Sequence, residues 1–145
     1  MTIARILRGK GGQVISVAPL DDATAIARTL AHHRIGAVLV RDATGGVLGI
    51  VSERDLARAL AAHQEAAARL RAEQLMTRVL HTVTPQTEVC AALALMSDRR
   101  VRHLPVLERD GSLAGMVSIG DLVKYRIAEA EQEAQQLREF VTSAG

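Results

Sequence analysis

Short apolar runs and amphipathic stretches alternate along the chain, and the first half reads as strand, helix, strand, strand and helix. Unbroken or alternating apolar runs favour strands, whereas apolar residues spaced three and four apart favour helices. Asp21 or Asp22 is placed to cap the first long helix, which ends near His33. A short amphipathic helix over 2–8 precedes this unit. The predicted strands are 14–17, 35–40 and 47–51.

The second half shows the same order of elements. The predicted strands are 79–83, 101–107 and 113–117, with a helix over 87–99 between the first two. The last helix begins after Ser118 and carries an apolar stripe beyond the length that the unit needs, at Ile127, Ala130, Ala134, Leu137 and Val141. An alanine-rich helical stretch over 56–75, broken near residues 63–64, joins the halves.

The two halves also repeat in sequence. The octapeptide that begins at Gly49, GIVSERDL, returns as GMVSIGDL from Gly115, which is 66 positions later. Residues 10–58 and 76–124 align at this offset without a gap. A fixed internal period defines a fold unit. Each unit is too small to bury its apolar face alone, so we predict one core built by pairing the two.

Composition narrows the class of protein. With 145 residues, 48% of them hydrophobic, the chain fits one domain with a real core. Aromatic residues make up 1% and the net charge is +2, so we expect no nucleic-acid partner. The single cysteine, Cys90, excludes an intrachain disulfide, and we expect it to be packed. No apolar run reaches the roughly 18 residues of a membrane span. We therefore expect a soluble, cytoplasmic protein with no membrane partner.

The polar residues shared by both copies are a serine and an aspartate three positions apart, directly after a strand. Ser52 with Asp55, and Ser118 with Asp121, match a capping box, and an acid in the first turn suits the helix dipole. The same place also suits a ligand, because the free N–H groups of a helix N-terminus bind phosphate and a neighbouring carboxylate accepts ribose hydroxyls. Both roles can coexist.

With these motifs the chain resembles a tandem pair of CBS domains, called a Bateman module. The VRHLPV segment at 101–106 also matches the family's middle strand. The resemblance implies an α/β (α+β) fold in which two β-α-β-β-α repeats pack with pseudo-two-fold symmetry, followed by a long C-terminal helix. Residues 1–145 then form one module, with repeats at 3–62 and 63–125 and the C-terminal helix at 126–145.

The resemblance further implies two clefts between the repeats, each of which binds an adenine nucleotide. The aspartate of one repeat holds the ribose, and the base lies on the first and middle strands of the other. Gly36 and Ala37 leave room for a flat base, although tight packing alone would also explain them. The residues assigned to this first cleft are Lys10, Ile15, Ile35, Gly36, Ala37, Met116, Ser118, Gly120 and Asp121.

In the second cleft the small pair is replaced by Arg102 and His103. The resemblance assigns both to ligand phosphates of either cleft, with a surface salt bridge for Arg102 and a hydrogen-bonded strand histidine for His103 as alternatives. His103 would add a pH dependence centred on about 6.5. The other residues assigned to the second cleft are Ile50, Ser52, Arg54, Asp55, Met76, His81 and Val101.

The resemblance therefore implies a non-catalytic regulatory module that senses cellular energy through AMP, ADP or ATP, with NAD(H) or S-adenosylmethionine as alternative ligands. It would signal to a regulated protein encoded elsewhere. The alternative function is a dimeric interaction or structural module whose clefts stay empty. We expect a homodimer, because the stripe 127–141 offers more apolar surface than a monomer leaves exposed. No metal site and no catalytic constellation is evident, so no cofactor is expected as a catalyst.

Overall fold

The computed structural model describes residues 1–11, 13–78 and 80–144. The first part of the chain forms α1 (Ile3–Lys10), β1 (Ser16–Val17), α2 (Ala23–His33), β2 (Ala37–Arg41), β3 (Val47–Ser52) and α3 (Glu53–His63). A 3-10 segment (Gln64–Arg69) leads to α4 (Ala72–Leu75), α5 (Val89–Arg99), β4 (His103–Leu107), β5 (Leu113–Ser118) and α6 (Ile119–Ala144).

The predicted fold class is confirmed, since a mixed α and β structure with two small sheets is followed by a long C-terminal helix. The alanine-rich stretch breaks where expected, because α3 ends at His63 and Gln64 has a φ of 50°. Asp22 caps α2 by accepting a hydrogen bond from Ala25 N–H at 2.9 Å. The middle strand of each repeat, β2 or β4, begins two residues later than predicted. Residues 35–36 and 101–102 are therefore left outside the ladders.

The antiparallel strand pairs of the two sheets have equivalent registers. β2 and β3 pair antiparallel from Ala37 opposite Ser52, and β4 and β5 pair antiparallel from His103 opposite Ser118. Both ladders also shift register at equivalent points, after Val40 and after Val106. The internal repeat in sequence is therefore a repeat in backbone geometry.

The predicted strand over 79–83 is wrong for the residues that the structure describes, which exclude Val79. In the first repeat β1 runs parallel to β2, and Leu39 N–H donates to the Ile15 carbonyl at 3.4 Å. The equivalent of Leu39 is Pro105, which has no N–H to donate. Only the bridge between Val83 and Val106 remains in the described part of this segment, with Val83 N–H donating to the Pro105 carbonyl at 3.1 Å.

The prediction of one shared core is also wrong, because the buried side chains form two clusters, one in each half. The clusters are linked by an exchange of short helices. Ile3 and Ile6 of α1 are buried in the cluster of the second repeat, whereas Ala72 of α4 is buried in that of the first. Each half therefore closes its core with a helix from the other repeat's sequence.

Backbone hydrogen bonds hold the exchanged helices in matching ways. Ile3 N–H donates to the Thr87 carbonyl at 2.9 Å, and Ala72 N–H donates to the Asp21 carbonyl at 2.7 Å. The accepting residues are equivalent in the two repeats. The exchange places the end of α1, with Lys10, beside the N-terminus of α6.

Two expectations about helix faces need correction. Cys90 is exposed. The buried face of α5 is formed by Val89, Ala92 and Met96, and Cys90 lies about 100° around the helix from Val89. The alternating glutamates of α6, Glu129, Glu131 and Glu133, are by sequence typical of a solvated helix face. Glu129 is instead half-buried and pairs with Arg126 at 3.0 Å.

Candidate functional site

A cleft of about 400 Å³ opens between the two halves. The structure brings to it all nine residues assigned to the first cleft and both Arg102 and His103. Its walls come from the loop before β1, the start of β2, the end of β5 and the first turn of α6. Sequence reasoning missed four further lining residues, Gln13, Val14, Arg34 and Ile119. For Arg34 a signal existed, because it aligns with Arg100 in the internal repeat.

Asp121 lies in the first turn of α6 and is held by a capping arrangement. Ser118 N–H donates to Asp121 Oδ2 at 2.8 Å, and Asp121 N–H donates to Ser118 Oγ at 3.1 Å. Lys10 Nζ donates to the same Oδ2 at 2.7 Å and to the Met116 carbonyl at 2.8 Å. Within the described chain, Asp121 Oδ1 accepts no hydrogen bond. The capping role expected from the sequence is therefore present, and one carboxylate oxygen stays available to a ligand.

The charge state of Asp121 follows from these contacts. Burial alone would raise the pKa of its carboxyl, but the hydrogen bonds from Lys10 and Ser118 outweigh it and hold the pKa below the ordinary value. Asp121 is therefore ionised at neutral pH and acts only as an acceptor.

His103 departs from the expectation that its charge would change near pH 6.5. Burial lowers its pKa below the ordinary value, and the nearby positive charge of Lys10 lowers it further. The carboxylates of Asp121 and Glu53 act in the opposite direction without reversing the shift. Its imidazole ring lies against Gly36, where an added Cβ would be 3.3 Å from His103 Cε1. His103 is therefore neutral at pH 7 in the unliganded protein.

Arg102 lies at the boundary of two cavities and lines both. Its side chain is exposed and forms no ion pair with any residue that the structure describes. The surface salt bridge that was the alternative role for Arg102 is therefore not formed with any described residue. Its backbone is fixed, because Ile119 N–H donates to the Arg102 carbonyl at 2.8 Å.

The second cleft, of about 650 Å³, lies on the other side of Arg102. Of the seven residues assigned to it alone, the structure brings six to its walls, namely Ile50, Ser52, Arg54, Asp55, His81 and Val101. Met76 is the exception: it packs in the first-repeat core, where its Sδ lies 2.8 Å from the position of a Cβ on Gly49. Three arginines missed by sequence reasoning also line this cleft, Arg58, Arg99 and Arg100.

Asp55 occupies the position equivalent to Asp121 but has different partners. Its Oδ2 accepts from Ser52 N–H at 2.8 Å and from Ser52 Oγ at 3.0 Å, and Oδ1 accepts from Thr77 Oγ1 at 3.4 Å. Both carboxylate oxygens are therefore engaged within the protein. The two clefts are equivalent in backbone but not in chemistry.

The described residues also bear on metal binding and on membrane insertion. No group of three or more histidine, cysteine, aspartate or glutamate side chains there could hold a metal ion. His32 and His33, at the end of α2, contact each other edge to face with ring centroids 4.9 Å apart. None of the helices in these ranges is both long and apolar enough to cross a membrane.

Comparison with known proteins places these observations in a family. The CBS domain family profile matches residues 12–62 and 72–128. The CBS domain-containing protein CBSX3, mitochondrial, from Arabidopsis thaliana is 32% identical over 148 residues, covering 97% of this chain and 71% of that protein.

Solved structures agree. The CBS-domain containing protein ATU1752 from Agrobacterium tumefaciens is 39% identical with a TM-score of 0.84, over 86% of this chain and 92% of that one. The CBS domain protein PAE2072 from Pyrobaculum aerophilum, solved in complex with AMP, shares 24% identity and the fold, with a TM-score of 0.73 over 83% of this chain and 89% of that one. The chain therefore belongs to the CBS domain family and carries two repeats of the domain.

Proposed function

We propose that this CBS pair binds an adenine nucleotide in the first cleft and signals its occupancy to a partner protein, without catalysing a reaction. The observation that carries the proposal is that a largely buried carboxylate, two small residues at Gly36 and Ala37, and several cations line one cavity. Its volume, about 400 Å³, falls in the range of small-molecule sites.

The ribose and base have suitable partners in this cleft. Asp121 Oδ1 is available to accept hydrogen bonds from a ribose diol, as carboxylates do in other nucleotide sites. Gly36 and Ala37 add little side-chain bulk to the wall of the cleft, where the His103 ring lies against Gly36, and Ile15 and Ile35 are apolar residues of the same lining. A flat base therefore fits against this wall, and the CBS domain protein from Pyrobaculum aerophilum, which shares the fold, was solved in complex with AMP.

The phosphate end also has partners. The N-terminus of α6 provides N–H groups and the positive end of a helix dipole. Arg34 and Arg102 line the same cavity, and arginine forms bidentate hydrogen bonds with phosphate. Phosphorylated adenosine should therefore bind more tightly than adenosine itself.

A nucleotide panel tests the proposal. AMP, ADP or ATP should raise the unfolding temperature of the wild-type protein, because a ligand that binds only the folded state stabilises it by mass action. S-adenosylmethionine and NAD(H) belong in the same panel. If no adenine ligand gives a shift at millimolar concentration, the first-cleft proposal fails and the role as an interaction module is favoured.

The preference for AMP over adenosine should depend on pH through His103. Its pKa is lowered in the free protein, so it becomes charged only below about pH 6.5. A bound phosphate favours the charged ring, so the preference should grow as pH falls through that region. Calorimetry on wild type and His103→Gln at pH 7.5 and 5.5 checks this, and the comparison cancels the ionisation of AMP itself, near pH 6. Parallel behaviour of the two proteins would contradict the role of His103.

We also propose a homodimer formed through α6. Six large apolar residues of this helix are exposed, and four of them lie in its C-terminal part, Ile127 at 55%, Leu137 at 64%, Phe140 at 69% and Val141 at 64%. A contiguous apolar face of this kind marks an interaction surface. Light scattering should give a dimer for the wild type and a monomer for Leu137→Glu with Phe140→Glu. Gln132→Glu, on the opposite side of α6, is the control, and a wild-type monomer at micromolar concentration would overturn the proposal.

A further inference from the structure

Two arginines occupy backbone conformations that normally favour glycine. Arg34 follows α2 with a φ of 54°, and Arg100 follows α5 with a φ of 55°. Glycine adopts this left-handed conformation at helix ends without the steric cost of a Cβ. An arginine in the last turn suits the helix dipole, but the dipole does not explain why the left-handed position itself holds one. A non-glycine residue held in this costly backbone conformation points to a function for its side chain.

Arg100 belongs to a concentration of positive charge around the second cleft. Five arginines line this cavity, against the two carboxylates of Glu53 and Asp55. None of the five forms an ion pair with a carboxylate in the part of the chain that the structure describes. One guanidinium is positioned by the backbone, since Arg54 Nη1 donates to the Arg100 carbonyl at 3.3 Å. Uncompensated cations held around one cavity suit an anion of high charge.

The same cleft lacks the features that suit a nucleoside in the first one. Arg102 stands where the first cleft has Gly36, and Asp55 has both oxygens engaged within the protein. The equivalent of Lys10 is Met76, which is packed in the core. The two clefts are contiguous, because Gly36, Arg102 and His103 line both.

We propose that the second cleft is an oligophosphate site, in which Arg100 and the neighbouring arginines bind three or more linked phosphate groups without a nucleoside. This deepens the proposed function by giving the second cleft a ligand class of its own. Two sources share this chemistry. The oligophosphate is either a free ion or the phosphate chain of a nucleotide whose base lies in the first cleft.

The test is calorimetry with inorganic tripolyphosphate on the full-length protein at about 0.1 M salt, where exposed charges are screened beyond about 10 Å. Arg100→Gly should weaken binding roughly tenfold to a hundredfold, the scale of a charge-assisted hydrogen bond. Glycine suits the backbone at this position, so the unfolding temperature should stay equal or rise by a few degrees. The loss of binding is then separated from a loss of folding.

Two controls keep the result specific. Arg34→Gly makes the same backbone change at the first cleft and should weaken tripolyphosphate binding far less than Arg100→Gly does, because Arg34 does not line the second cleft. Arg109→Ala removes an exposed charge from the turn between β4 and β5, outside both clefts, and should spare tripolyphosphate affinity. Equal binding by wild type and Arg100→Gly overturns the proposal. An equal loss in all three variants overturns it too, because net charge alone would then explain the affinity.

Adenine ligands separate the two sources and the two proposals. If the site takes the tail of a nucleotide, ATP should compete with tripolyphosphate while AMP and tripolyphosphate bind together. If the ion is free, ATP and tripolyphosphate should bind independently, and either result supports the site. Competition by adenosine for the Arg100-dependent site would overturn it. Binding of AMP without binding of tripolyphosphate refutes only this inference, whereas the reverse pattern refutes only the first-cleft proposal.

Discussion

Replacing Asp121 with asparagine should lower the affinity for AMP by roughly fivefold to 150-fold, the effect of losing 1–3 kcal/mol from a hydrogen bond to a charged group. Asparagine keeps an oxygen that can accept from Ser118 N–H, as Asp121 Oδ2 does at 2.8 Å. It removes the negative charge that a ribose diol would meet and the partner of Lys10 Nζ at 2.7 Å. The binding loss should therefore exceed the loss of stability.

The internal repeat supplies a matched control at Asp55. This residue has the same position on α3 and the same contact with its serine, at 2.8 Å from Ser52 N–H. Asp55→Asn should cost a similar amount of helix stability, about 0.3–1 kcal/mol, because it likewise removes a negative charge from a first turn. It should leave AMP affinity unchanged within about a factor of two, since the base and ribose are assigned to the other cleft. Calorimetry on both variants decides the matter, and an unchanged affinity in Asp121→Asn would remove the ribose assignment.

Gly49→Ala should lower the free energy of unfolding by about 1–3 kcal/mol, the cost of overpacking a rigid interior. An added Cβ would lie 2.8 Å from the Thr77 carbonyl oxygen and 2.8 Å from Met76 Sδ. The carbonyl cannot withdraw cheaply, because the backbones of Ile50 and Thr77 are joined by two hydrogen bonds of 3.1 and 2.9 Å.

Gly115→Ala is the matched comparison, at the equivalent position of β5. Here the added Cβ would meet Leu7 Cδ2 at 2.7 Å, which is the far end of a flexible side chain on α1. Leu7 can turn aside, and alanine recovers about 0.5–1 kcal/mol of backbone entropy relative to glycine. The net loss should stay below about 1 kcal/mol. Urea unfolding of the two variants measures the difference, and equal losses would show that the Thr77 carbonyl is not the obstacle.

The local elements of the fold followed from the sequence with little error. Spacing of apolar residues located the helices and the four long strands, and Asp22 and Ser52 marked helix starts because a side-chain oxygen there can satisfy a free N–H. The repeat added the long-range part, since equivalent segments must take equivalent places. The assignment of cleft residues came from the resemblance to CBS domains, and the structure brings eleven of these residues to one cleft, although their role as ligand contacts remains a prediction.

The failures concern interactions between distant segments. The predicted strand is absent from residues 80–83 because Pro105 on the neighbouring strand has no N–H to donate, which periodicity within the segment cannot reveal. Met76 does not line the second cleft, because its sulfur atom fills the space beside Gly49 in the core. Arg58, Arg99 and Arg100 were missed because each reads as an ordinary surface cation until the fold gathers them around one cavity.

By itself, the sequence determined two equivalent units, their order of elements and the paired serine and aspartate at the start of each last helix. These depend on contacts within a few residues or on the period itself. Only the tertiary structure decided that α1 packs in the core of the second repeat and α4 in the core of the first, and hence that Lys10 reaches Asp121. That choice depends on the packing free energy between surfaces far apart in the chain, which no local pattern records.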